Sequence, residues 1–180
     1  MANQFVVLCE DEQQAYFIRR FLRKRGWTTG NPRISKTDDG SGEQYVRENF
    51  PRELGLIRRY PGERRTLIVI TDADNKTVAE RIDTLRQECQ RNSIEPPGID
   101  EPVFFMVPKW QIENWLAYLR GEDSDENHST CRRYSEESDA AKDVDRLVAI
   151  CQGGRPDPNM PSSLAAACRE YRRFERMFTR

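Results

Sequence analysis

Three acidic residues carry the chemistry that this chain could perform. Glu10 ends the apolar run FVVLC (5–9), and Asp72 and Asp74 follow the apolar run LIVI (67–70) in the stretch LIVITDADN. In an extended chain, residues i and i+2 point the same way, about 6.5–7 Å apart. Asp72 and Asp74 can therefore project toward one site, and Glu10 joins them if the two strands are neighbours. Three converging carboxylates repel one another, and a hard divalent cation relieves this. Mg²⁺ (or Mn²⁺) takes oxygen ligands and keeps several waters, so two or three carboxylates suffice. Such an ion polarises a phosphate and orients water. In the metal-free protein Asp72 and Asp74 are then expected to repel, so Asp74→Asn should leave the apo chain as stable or slightly more so. The competing reading makes these acids caps of the helices that follow, because carboxylates are favoured at helix N-termini. Asp11 and Glu12 fit that role, and so do Asp74 or Asn75 before a helix spanning about 75–92.

Two further residues belong with the acids. Lys109 follows the apolar run PVFFMVP (102–108), where a cation can meet a phosphate, and Glu113 comes one helical turn later. Their alternative is an i,i+4 ion pair in the less favourable order. Arg47, Arg58, Arg59, Arg64 and Arg65 are candidates for holding a nucleic-acid backbone, since phosphate contacts give affinity without reading sequence. Arg81 lies on the helix after DADN, where Glu80 or Asp83 are its nearest partners in sequence.

The elements that must position these side chains are legible as well. FVVLC and LIVIT read as strands buried on both faces, and so does PVFFMVP. EQQAYFIRRFLRKRG reads as a helix stopped by Gly26, and 43–59 as helical with a second piece starting at Pro51. In the helix after DADN, Val78, Ile82, Leu85 and Cys89 form one apolar stripe. Ile112, Trp115, Leu116 and Leu119 do the same in KWQIENWLAYLRG. Residues 27–42 are turn-rich and 121–139 read as a polar loop, before two closing helices at about 139–151 and 161–178. Strands alternating with amphipathic helices predict an α/β fold with a mainly parallel sheet, in which ligands bind at the carboxyl ends of the strands. The expected organisation is a core over 1–120, with 121–180 packing on it or extending it.

Composition narrows the classes. The 180 residues carry 29 basic and 30 acidic side chains for a net charge of −1, which excludes a global basic field for nucleic acid. Arginine outnumbers lysine 24 to 5, and its planar fork suits phosphate and carboxylate. Five scattered cysteines without a CxxC pair read as reduced thiols of a cytoplasmic protein, neither a disulfide frame nor a zinc site. No stretch approaches the roughly 18 apolar residues of a membrane helix. No GxxxxGK[ST] motif is present, so any ATP-driven step must come from a partner.

FVVLCEDEQQAYFIRRFL followed by LIVITDADN resembles the Toprim domain, shared by topoisomerases, primases, maturases of RNase M5 type and OLD-family nucleases. That family pairs a glutamate ending its first strand with a DxD after a later one, here Glu10 with Asp72 and Asp74. SGEQYVRENFP and FFMVPKWQIENWLAYL are similar to small bacterial Toprim-like proteins, many encoded near defence ATPases. The resemblance covers about residues 3–120. Asp11 stands where glycine commonly follows the Toprim glutamate. The resemblance implies a Mg²⁺-dependent nuclease, with Glu10 as general acid or base beside the metal and Asp72 and Asp74 holding it; Lys109 and Glu113 are added to the catalytic candidates by their position alone. The resemblance also implies an ATPase partner in antiviral defence. One alternative is a catalytically silent subunit that keeps the fold and binds an ATPase or nucleic acid. The other is a receiver-like phospho-switch, to whose acidic opening VVLCEDE is similar.

Overall fold

The computed structural model describes residues 4–27, 31–61, 64–122, 125–128, 140–153 and 157–178. Most of the polar segment 121–139 and the last two residues of the YPGE turn (60–63) lie outside them. Among these described residues four parallel strands form one sheet: β1 (Gln4–Leu8), β2 (Arg33–Ser35), β3 (Arg65–Ile70) and β4 (Val103–Met106), in the order β2-β1-β3-β4. Among the described residues six helices flank it: α1 (Glu12–Arg25), α2 (Gly42–Arg59), α3 (Val78–Arg91), α4 (Ile112–Arg120), α5 (Ala141–Gln152) and α6 (Ser162–Phe178). The fold is thus α/β with an all-parallel sheet between helical layers.

The period of two in each strand divides the core. Phe5, Val7, Ile68, Ile70, Phe104 and Met106 face α1, α4, α5 and α6. Val6, Leu8, Leu67, Val69, Val103 and Phe105 face α2 and α3. Because both faces are covered, the strands read as unbroken apolar runs instead of alternating ones. On α3, Leu85 and Cys89 are fully buried, with Val78 and Ile82 packed at the margin of that layer. The closing helices α5 and α6 bury Val144, Leu147, Leu164, Tyr171 and Phe174 in the same cluster as α1 and the sheet.

Within the turn-rich residues 27–42, which sequence alone leaves without an element, lies β2, a short, partly exposed edge strand paired to β1. Two expectations are corrected. Pro51 lies inside one continuous helix and starts no second one. Cys151 and Cys168 form a disulfide between α5 and α6, with Cα atoms 4.9 Å apart, whereas Cys9 and Cys89 are free and buried. The pairing joins two cysteines 17 residues apart in sequence, on different helices, which spacing alone does not reveal. Among the described residues, no helix is long and apolar enough to cross a membrane.

Candidate functional site

In the order β2-β1-β3-β4, the chain leaves β1 toward one edge of the sheet and β3 toward the other. Accordingly α1 packs on one face and α3 on the opposite one. The crevice between the carboxyl ends of β1 and β3 is therefore the topological switch point, where open parallel sheets bind ligands. Glu10 and Asp72 stand on its two sides. Leu8 is in register with Val69, so two residues on, Glu10 comes level with Thr71.

Hydrogen bonds stitch the two strand ends together. Oε1 of Glu10 accepts from the Thr71 hydroxyl at 2.5 Å and from the Asp72 backbone N–H at 2.7 Å. Gln14, buried in the first turn of α1, donates through Nε2 to Oδ1 of Asp72 at 3.0 Å. Its own Oε1 accepts from the Glu10 N–H at 2.9 Å. Gln14 thereby fixes both acids, and the sequence reading missed it. Its signal was position: the first turn of α1 begins just past the strand end that carries Glu10. Gly42, at the start of α2, closes the crevice from behind. A Cβ there would meet Cβ of Glu10 at 2.6 Å and its carbonyl oxygen at 2.9 Å, so the backbones can approach this closely only at glycine.

The third acid behaves differently. Asp74 adopts a left-handed backbone with φ of 55°, which aspartate tolerates better than most residues. Its Oδ2 accepts from Arg81 at 2.9 Å. The same guanidinium also bonds Glu43 of α2 and donates to the Ala73 carbonyl at 3.3 Å. Arg81 thus pairs with Asp74 and Glu43, not with Glu80 or Asp83. Glu80 instead completes a capping box with Thr77, the N-cap of α3. Neither Asp74 nor Asn75 is the cap, so the capping explanation of the DxD fails for Asp74. Thr77→Ala should accordingly cost about 0.5–2 kcal/mol in denaturant unfolding. A cost near zero would return the capping role to its neighbours.

Arg81 also reverses the expectation for Asp74→Asn. That substitution removes an ion pair from a buried guanidinium, so the apo variant should be less stable than the parent, not more. Among the described residues no group of three His, Cys, Asp or Glu side chains is arranged to hold a metal ion. Glu10 and Asp72 come together, while Asp74 is drawn to Arg81.

Electrostatics mark the crevice. Burial raises the Asp72 carboxyl well above the usual carboxylate range, reinforced by the charges of Glu10, Asp11, Asp74 and Glu113. Glu10 is raised too, mainly by burial, against the opposing hydrogen bonds from Thr71 and Asp72. Among the described residues neither acid bonds to a cation. The donor set is all oxygen and under-neutralised, which fits a hard divalent ion. The folded apo protein keeps these protons to higher pH than the unfolded chain does. Its stability therefore falls as pH rises from the ordinary carboxylate range through the raised values. Asp72→Asn cannot titrate there, yet its amide oxygen can still accept from Gln14. The variant should gain on the parent steadily with rising pH in metal-free melts, and a gap that ignores pH would contradict this account.

The remaining candidates divide by edge. Glu113 is buried in the first turn of α4, close enough to raise Asp72. The Lys109 ammonium donates to the carbonyls of Asp74 at 2.6 Å and Lys76 at 2.8 Å, so it holds the loop after the DxD. Arg47 pairs with Glu43 and Glu88. Arg58 binds Glu101 and the carbonyls of Glu95 and Pro96. Arg65 lies over the Tyr60 ring, and Arg59 and Arg64 are exposed. The last four arginines (58, 59, 64 and 65) sit at the end of α2 and the start of β3. That is the amino edge of the sheet, about 20 Å along β3 from Asp72.

Compared with protein-family models, curated proteins and solved structures, the chain finds no match in any of the three. The crevice chemistry is therefore its own best witness. It joins two part-buried acids, Glu10 and Asp72, whose carboxyls are both raised by desolvation. The third carboxylate, Asp74, is paired with Arg81.

Proposed function

We propose that the crevice is the active site of a Mg²⁺- or Mn²⁺-dependent phosphodiesterase acting on nucleic acid. The observation that carries the reading is the placement of Glu10 and Asp72 together at the switch point, hydrogen-bonded yet without a cationic partner among the described residues. Asp72 and Asp74 would hold the ion, with Glu10 beside it. A bound divalent ion supplies charge neutralisation and polarises a phosphoryl oxygen. Glu10, whose carboxyl burial raises above its ordinary range, would take a proton from the attacking water or deliver one to the leaving oxygen. Glu113 and Asp11 add negative charge that favours the cation. Lys109 shapes the loop that presents Asp74.

Four of the five proposed backbone-binding arginines point the reading away from a basic cradle around the crevice. Arg47 is the member nearest to it, and nucleic acid contact there competes with Glu43 and Glu88. We place the protein in the cytoplasm as part of the same proposal. The Cys151–Cys168 disulfide is compatible with it because both residues are about 2–3% exposed, which shields the sulfurs from thiol exchange. A partner ATPase, as in bacterial defence systems, remains part of the proposal through the Toprim resemblance.

Arg81 favours a second reading. A guanidinium already neutralising Asp74 and Glu43 is what a silent subunit would keep in place of a metal. The purified protein decides between them. Labelled DNA and RNA are incubated with Mg²⁺, with Mn²⁺ and with EDTA, while melting temperature is followed in parallel. Metal-dependent cleavage together with a metal-dependent rise in melting temperature supports the enzyme. Neither effect at millimolar ion supports the silent subunit.

A further inference from the structure

We propose that Arg81 is a built-in latch that competes with the divalent ion for Asp74, so that filling the site requires the guanidinium to release that carboxylate. The inference rests on the metal reading above and adds a step that composes the site.

The geometry is specific. Arg81 is 4% exposed, whereas the Asp74 side chain is about half exposed. The ion approaching from solvent therefore meets Asp74 first, while its competitor is already in place behind it. The guanidinium spans two elements, bonding Glu43 at the start of α2 and Asp74 in the β3–α3 loop. Its Nε is buried without a hydrogen-bond partner, so Arg81 is not held by a saturated network. Glu43 offers it a resting place when Asp74 leaves, so release does not strand a buried charge. This explains why the three acids, adjacent in the fold, form no three-carboxylate cluster in the described residues: the missing ligand is the one that Arg81 holds. The latch makes apo Asp74 an ion-pair partner and loaded Asp74 a ligand.

The test separates a latch from a mere change of local charge. Arg81→Lys keeps the positive charge, but an ammonium on a shorter stem is a point donor and cannot span both carboxylates as the planar fork does. Mn²⁺ alone is titrated into the full-length protein by calorimetry, with unbound Mn²⁺ followed by its electron paramagnetic resonance signal. Arg81→Lys should bind Mn²⁺ about 3- to 10-fold more tightly than the parent. Glu43→Gln removes the alternative partner and should weaken Mn²⁺ binding, because the guanidinium then has only Asp74. Glu43 is partly exposed, so this arm decides the matter if Arg81→Lys fails to fold. Unchanged affinity in Arg81→Lys, or no weakening in Glu43→Gln, overturns the latch. If wild-type binding is lost in Asp72→Asn but unmoved in Arg81→Lys, the latch alone is wrong. If no variant binds Mn²⁺ at all, the metal reading falls and takes the latch with it.

Discussion

Glu10→Gln is expected to lower metal-dependent phosphodiester cleavage about 10²- to 10⁴-fold, the span that general acid–base catalysis usually supplies. The substitution is a clean one for physical reasons. The amide oxygen of glutamine still accepts from the Thr71 hydroxyl and the Asp72 N–H, the two bonds that join the strand ends. What disappears is the charge and the proton. One like charge beside Asp72 also vanishes, so the metal-free melting temperature should hold or rise slightly. Single-turnover cleavage of a labelled oligonucleotide in Mn²⁺ reads the first quantity, and a thermal melt in EDTA reads the second. Cleavage within a few-fold of wild type would remove Glu10 from the chemistry. A large fall in melting temperature would show that its role is to hold the strands.

Trp115→Ala should cost about 3–5 kcal/mol, a large share of the 5–15 kcal/mol that holds a typical domain together. Trp115 is fully buried in α4 and meets Phe17 of α1 edge-on, with ring centroids 6.2 Å apart. Its indole N–H donates to Ser163 Oγ at 2.8 Å, and Ser163 in turn bonds Glu126. One side chain thus joins the first helix, the fourth and the start of α6. Denaturant unfolding monitored by far-UV circular dichroism should stay a single transition at a lower midpoint. A new early transition with an unmoved main one would mean that α5 and α6 fold apart from the sheet. Trp115→Phe keeps most of the apolar volume and loses the hydrogen bond, so it should fall between.

The parts of this fold that depend on local pattern were readable from sequence, and the parts that depend on meetings between distant segments were not. β1, β3 and β4 announce themselves as apolar runs because both faces of each are covered. α3 declares its buried stripe through Leu85 and Cys89. β2 is three residues long and half exposed, so it carries no apolar run to find. Glu10 and Asp72 were legible as acids after strands, and the switch point explains why those two strands are neighbours. Gln14 and Gly42 were illegible because their meaning lies in a contact across segments: an amide bridging to Asp72, and an absent Cβ facing Glu10. Arg81 was misread for the same reason. Its nearest acids in sequence are Glu80 and Asp83, but its partners come from another helix and from the preceding loop. The Cys151–Cys168 pair depends on two helices lying side by side.

β4 ends the sheet, so every second carbonyl and N–H along it faces away from β3. The outward carbonyl of Val103 receives the Arg173 guanidinium from α6, which also takes the Ile99 carbonyl at 2.6 Å. An open strand edge is a template on which another chain can add a strand. Here one arginine, itself paired with Glu170, caps part of that template from a helix that follows the sheet in the chain. α6 therefore shields part of the one sheet edge that β4 would otherwise leave open. While α6 is docked, the outward Val103 carbonyl on the border of β4 is occupied. A chain still emerging from synthesis, with α6 not yet made, presents that border bare, so the interval before the last turns fold is when the molecules are most apt to stick together.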